Sequence, residues 1–433
     1  MLFFGAHCFA AANIDIDIQD VVTKGGIKYW YTSGKTLPIV SVSIAFQHTG
    51  SLYDPVGKKG LAALAAAVME RGVTKDGVKL SEQLGKRGIE LDVSADGDNT
   101  YVSLRTLAEN LDMALYAVGD SLSDATIDHG VFEIEKERLK HDSDISGNAP
   151  QEQASDMMDK VIFGDQPHAY PIKGTPDTIE NISLEDIENY RQENFDLDNM
   201  FIGIAGDVSQ EHLSEVLDKA FSKISRGQNS KRAIEGVPNI GSRGYVKYDS
   251  PQSVVMFTTK SISRGDPKYH MARILNRALG GIGLSSILMK ELREKLGITY
   301  SVSSFLQHFG GVSLFSCVLF TDNNTVKEGV DAFLRTIEQV RENGLDERTF
   351  QIAKANIESS FLFSFIKTAD VAERLVKFQL RGLGKDHIQK YNSKNESVSL
   401  QEVNEFAKDF LGDFSIVEVG MKNNIGATIT SWN

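Results

Sequence analysis

Cysteine is nearly absent from this chain, with Cys8 and Cys317 the only two in 433 residues. So few thiols exclude a disulfide framework and a cysteine-rich zinc site. Basic charge is also in deficit, 46 Lys and Arg against 59 Asp and Glu, for a net charge of −13. That balance argues against a protein held on nucleic acid by phosphate neutralisation, and an anionic membrane surface is an equally poor partner. No stretch reaches the roughly 20 uninterrupted apolar residues of a membrane span. The histidines stand at 7, 48, 129, 141, 168, 212, 270, 308 and 387, so no pair has the four-residue spacing that sets two imidazoles on one helix face around zinc. A G-x-S-x-G nucleophile elbow and a phosphate-binding G-x-x-x-x-G-K-[ST] loop are missing too.

What is present is apolar material, 41% of the chain, enough for more than one core. The length gives a prior of two to three domains. The first twelve residues, MLFFGAHCFAAA, form a short apolar run ending in an A-x-A pattern at Ala10–Ala12. We read residues 1–12 as the remnant of a secretory signal, which would remove Cys8 and send the mature chain to the periplasm or another exported location. The plain alternative is an apolar N-terminal segment packed on the body.

Periodicity predicts strands at 39–46, 89–94, 100–106 and 200–205, and helices at 60–71, 80–88, 107–122, 128–142, from Ser183, and at 212–221. Residues 222–240, SKISRGQNSKRAIEGVPNI, are polar and aperiodic, the composition of a linker. Beyond it the order of elements recurs, with a strand at 253–258 and helices at 267–279 and 288–295. GIELDVS at 88–94 matches GITYSVS at 297–303, where 297 minus 88 gives an offset of 209. FEI at 132–134 matches FQI at 350–352, where 350 minus 132 gives 218. Two matches in the same order on the same element types indicate an internal duplication of α+β halves.

Three features suggest chemistry. Helix 60–72 has a core stripe of Leu61, Leu64, Ala65, Val68 and Met69, yet Ala63, Ala66 and Ala67 leave its other side without a polar face. A helix small or apolar all round is buried or borders a closed space. Arg293 near a helix end and Tyr300 on the following strand flank a glycine turn, and both are hydrogen-bond donors suited to a carbonyl oxygen gaining negative charge. The plain reading of that pair is an exposed arginine and a half-buried tyrosine in an ordinary helix–turn–strand. Gly280, Gly281 and Gly283 form a glycine-rich stretch that reads as a flexible loop, since no strand feeds it and no lysine follows where phosphate binding needs one.

Gly50–Leu52, GLAALAAAVMERG at 60–72, HAYPIKGT at 168–175, NMFIGIAGD at 199–207, LGGIGLSS at 279–286 and LREKLGITYSVSS at 292–304 together resemble the pitrilysin/insulinase family of zinc peptidases. The resemblance covers nearly the whole mature chain. It implies an α+β fold of two homologous domains, each a mainly antiparallel sheet flanked by helices, here 13–226 and 241–433 joined by a linker at 227–240. The family's zinc helix carries H-x-x-E-H, two histidine ligands and a glutamate that activates water. In this sequence Ala63 and Ala67 stand at the histidine positions, Ala66 at the glutamate, and Asp142 where a third ligand, normally glutamate, is expected. Glu135 resembles an acid the family retains.

Arg293 and Tyr300 match the family's C-terminal Arg/Tyr pair at its spacing of seven. In two-subunit members one chain holds zinc and a homologous zinc-free chain supplies this pair to the substrate peptide. The resemblance therefore implies a non-catalytic subunit without a cofactor of its own, partnered by a zinc-bearing homologue or by a second copy of itself, with the glycine-rich stretch near the mouth of a shared chamber. A structural core-type subunit and a stand-alone peptide-binding module are the alternatives.

Overall fold

Short alternating segments build the first half of this computed structural model, which describes residues 16–34, 36–227, 231–388, 391, 395 and 397–430. The signal-like segment 1–12 and Cys8 lie outside the described residues. The chain runs through strands β1 (Gln19–Val22), β2 (Lys28–Ser33) and β3 (Ile39–Gln47) into helix α1 (Leu61–Arg71). A small sheet takes β4 (Val73–Lys75), β5 (Val78–Lys79) and, later, β8 (Thr126–Ile127). Between them come α2 (Leu80–Gly85), β6 (Glu90–Ala95), β7 (Asn99–Leu107) and α3 (Leu111–Leu122). Then follow α4 (His129–Gly147), α5 (Pro150–Phe163), α6 (Pro176–Glu180), α7 (Leu184–Asn194), β9 (Met200–Gly206) and α8 (Gln210–Ala220). Ser183 starts α7 through a capping box with Asp186, the local chemistry that fixed this helix start in the sequence.

The second half has β10 (Arg243–Lys247), β11 (Gln252–Lys260), α9 (Tyr269–Asn276), two π-helical stretches at 277–281 and 289–295, β12 (Thr299–Phe309) and β13 (Val312–Asp322). Helices α10 (Val326–Asn343), α11 (Glu347–Phe363), α12 (Thr368–Leu380) and α13 (Leu400–Phe410) precede β14 (Ser415–Gly420). The two large sheets run β1-β2-β9-β3-β7-β6 and β10-β14-β11-β13-β12. After the extra edge strand β1 the two orders are the same, and in both the first pair is parallel and every other pair antiparallel. The offset of 209 carries the start of β6 onto β12, and 218 carries the starts of α4 and α5 onto α11 and α12.

The duplicated halves exchange a helix. Helix α5 lies on β10, β11 and β14 of the second sheet, while α12 lies on β2, β3 and β9 of the first. Met157, Met158, Val161 and Ile162 of α5 share one core with Val254, Met256, Val417 and Val419. Close approach is met by bare backbone. A Cβ at Gly203 on β9 would come 2.3 Å from the Ala372 carbonyl oxygen of α12, and one at Gly244 on β10 would come 2.7 Å from Val161 Cγ2 of α5. The residues of the 227–240 segment that are described form neither helix nor strand but are pinned to both halves, Gly236 N donating to Gly310 O (3.1 Å) and Asn239 N to Ile162 O (2.7 Å).

Candidate functional site

Helix α1 begins on a left-handed Gly60, φ 97°, that no side chain larger than hydrogen would occupy, since a Cβ there would meet the Lys173 carbonyl oxygen at 2.5 Å. Its free N–H groups are held by Asp54, whose carboxylate accepts from Gly60 N and Ala62 N, each at 3.0 Å. Asp54 is buried, and burial pushes its carboxyl up to about 7 against the opposing hydrogen bonds and the charge of Lys59. Lys59 is equally buried, lies over the Tyr170 ring and donates to Ser51 O at 3.1 Å. Thr178 donates to Lys59 O (2.8 Å) and Ser143 to Gly174 O (2.8 Å). The segments near 50, 60 and 170 that are far apart in sequence thus meet at the entrance to one helix.

The stripe Leu61, Leu64, Ala65, Val68 and Met69 is buried as its spacing predicts. Ala66 is buried and Ala63 and Ala67 are half-buried, on a helix wedged between β6 and the helices α4 and α7. Asp142, on α4, keeps a side chain 47% exposed and approaches Arg138 Nε at 3.9 Å. Glu135, seven residues earlier on the same helix, is buried and accepts from Arg71 Nη1 (3.1 Å) and Arg138 Nη1 (3.4 Å), while Glu70 pairs with Arg71 at 2.8 Å. This acid ties the end of α1 to α4. Three methyl groups offer no lone pair to a metal, and among the described residues no group of three or more His, Cys, Asp or Glu is placed to hold an ion. The family's zinc does not fit the residues present.

The second site departs from regular structure. The helix carrying Arg293 is π-wound over 289–295 and ends at Gly297, φ 64°, with Gly297 N donating to Arg293 O at 3.1 Å. On β12 the register against β13 shifts between Thr299, paired with Thr321, and Ser301, paired with Phe320. Tyr300 is the extra residue of that bulge, which Thr299 stabilises by donating to Ser301 O at 2.7 Å while accepting from Ser301 N at 3.0 Å. The residue is 52% exposed, and its ring is tilted against Phe320 with centroids 5.7 Å apart. Arg293 is exposed as well. In the first half the offset of 209 lands on Leu84, which is buried, and on Leu91, which pairs with Leu104 in an unbroken ladder. π-windings and bulges are devices that re-aim side chains, and among the described residues they occur only in the copy carrying the donors.

The glycine-rich stretch is more ordered than a flexible loop. Gly280 and Gly281 close the π-turn 277–281, Gly280 lying so near β12 that a Cβ would meet Ser304 N at 2.6 Å. Arg277 Nη1 donates to Gly281 O at 2.8 Å. Gly283, φ 62°, starts a short 3-10 turn with open space around it. Asp54 and Lys59 leave no mark in the sequence, because no periodic signal announces a cap reaching across the 3-10 turns at 51–53 and 56–58.

The doubled α+β chain carries alanine at 63, 66 and 67 in its first half and an exposed Arg293 and Tyr300 in its second, on a peptidase-like architecture. Comparison with known proteins gives the family. The insulinase (peptidase family M16) model matches residues 32–176, and the peptidase M16 inactive-domain model matches 181–357. The chain is 21% identical to the uncharacterized zinc protease YmxG of Bacillus subtilis, over 94% of this chain and 99% of that protein. It superposes on a crystal structure of a peptidase M16 inactive domain from Pseudomonas fluorescens with a TM-score of 0.87 at 21% identity, covering 96% of this chain and 100% of the other. A protease from Helicobacter pylori gives 0.85 at 17% identity over 94% and 99%. The chain belongs to the pitrilysin/insulinase family.

Proposed function

We propose that this chain is the zinc-free, non-catalytic subunit of a heteromeric peptidase, lending Arg293 and Tyr300 in trans to the peptide held by a zinc-bearing homologue. The observation that carries the reading is the pairing of loss and retention: alanine at 63, 66 and 67, with both donors kept on irregular backbone that turns them outward. A guanidinium and a phenol beside the scissile carbonyl would stabilise charge as it develops on the oxygen. The exported location read from residues 1–12 fits a subunit that meets peptides outside the cytoplasm.

Reconstitution tests the reading. The isolated chain, after dialysis, should hold no stoichiometric zinc and hydrolyse no peptide. Added to its zinc-bearing homologue, it should raise the rate of peptide hydrolysis and co-elute with it. A homologue that works at its full rate without this chain would overturn the proposal.

A further inference from the structure

The second half concentrates arginine where the rest of an acidic chain does not. Arg273 and Arg277 line a cavity of about 240 Å³, together with Tyr269, Gly281 and the β12 segment from Ser304. Arg264, Arg374 and Arg381 line a second cavity of about 330 Å³. The two act as one field: Arg277, Arg374 and Arg264 all repel charge at Arg273, and Arg264 and Arg374 do so at Arg381. Burial of the Arg273 guanidinium, with this repulsion added, holds it down to about 10. His308, bonded to Ser313 (2.9 Å) and Tyr269 (3.2 Å), is pushed down to about 3 by burial and by Arg264 and Arg381, and stays neutral.

Several cations elsewhere in the chain meet a carboxylate, as in Lys58–Asp186, Arg71–Glu135 and Arg105–Glu90. None of these five arginines makes an ion pair with a carboxylate among the described residues. Asp370 and Glu373 share the second cavity and attract Arg374 from beyond ion-pair distance, and Glu373 is also taken up by Lys377. Two of the five face aromatic rings instead. Arg273 lies 5.0 Å over Tyr391, and Arg374 lies 5.5 Å over Phe361 and 5.1 Å over Phe365. A guanidinium over a ring face keeps its N–H donors in its own plane, the geometry that takes carboxylates two bonds at a time. Gathering like charges in partly dry surroundings is unfavourable unless an anion is bound.

We infer that the two arginine-lined cavities form one recognition site for the acidic side chains of a bound peptide, and so set a preference for acidic substrates. The inference rests on the proposed peptide-handling role for its choice of a peptide over a free anion. Two adjoining cavities suit several carboxylates on one chain better than a single small ion.

The test uses the full chain alone, without a partner, so it stands or falls independently of activity in trans. A fluorescein-labelled peptide of alternating glutamate and glycine should bind by anisotropy and weaken as salt rises. Its lysine–glycine counterpart should not bind. Arg273→Gln and Arg381→Gln should each weaken binding roughly tenfold, the worth of one charge-assisted bidentate contact. Arg273→Lys should recover only part of the loss, and Lys86→Gln, a remote exposed cation, should change nothing. Thermal melts report whether each variant is folded; should Arg273→Gln fail, the exposed Arg381 carries the test. No binding of the glutamate peptide, equal binding of the lysine peptide, or binding indifferent to both arginine variants would overturn the inference. Displacement by inorganic triphosphate at far lower concentration than by unlabelled peptide would overturn the assignment to a peptide.

Discussion

Alanine at 63, 66 and 67 is a chemical statement that sequence makes unaided, because a methyl group can neither ligate a metal nor take a proton. Arg293 and Tyr300 are equally legible as residue types, but the device that turns the tyrosine outward is not. Strand alternation is counted in twos, and a one-residue bulge shows only when the partner strand fixes the register at Thr299 and Ser301. Asp54 was invisible for a similar reason, since it caps α1 from six residues before Gly60. It carries a prediction. Its folded carboxyl titrates near 7, whereas in the unfolded chain it titrates near its ordinary value of about 4. Between those values the native state holds one more proton than the unfolded state, so this group makes stability fall as pH rises through the window, by about 1.4 kcal/mol per unit and ~4 kcal/mol at most. Asp54→Asn should flatten the dependence of the melting temperature on pH between 4 and 7. Parallel curves for the two proteins would contradict the account.

Among elements, the isolated helices and strands were readable wherever one face repeats or a cap is local. β3 and β7 follow from alternation, β9 from a short apolar run stopped by Gly206, α1 from its stripe, and α7 from Ser183 and Asp186. Helix α5 also had a signal, with Ala154, Met157, Met158, Val161 and Ile162 on one face. What nothing local could say is that its partner is the sheet of the other half, since a hydrophobic stripe states that it must be covered but not by what. The exchange has a consequence for folding. A fragment of residues 16–227 would expose at least Met157, Met158, Val161 and Ile162, and at ~1.5–3 kcal/mol per side chain that loss is comparable with the whole stability of a domain. It would also lack the α12 cover over Gly203. We expect the fragment to show no cooperative thermal transition by circular dichroism, and to gain one when mixed with residues 231–430. A sharp melt of the fragment alone would show that the helix exchange is dispensable.

At the scale of the whole molecule, the duplication was readable from two short matches because strand- and helix-forming patterns drift less than the residues between them. The offsets of 209 and 218 fall on β6 and β12 and on α4 and α11. The asymmetry laid over that duplication is what bears on function, the first copy carrying alanine at 63, 66 and 67 and the second a bulge, two π-windings and a group of arginines without a carboxylate ion pair among the described residues. The account comes down to whether Arg293 and Tyr300 act on a substrate bound to another chain, and turnover of the reconstituted pair measures it. With assembly confirmed by size-exclusion chromatography, Arg293→Ala and Tyr300→Phe should each lower kcat about 100- to 1000-fold, the cost of removing a donor at a developing oxyanion, and leave the dimer intact. Arg293→Lys should stay impaired because it keeps the charge and loses the planar fork. Full turnover in both the Ala and Phe variants, within an intact complex, would contradict the account and make this chain a structural subunit.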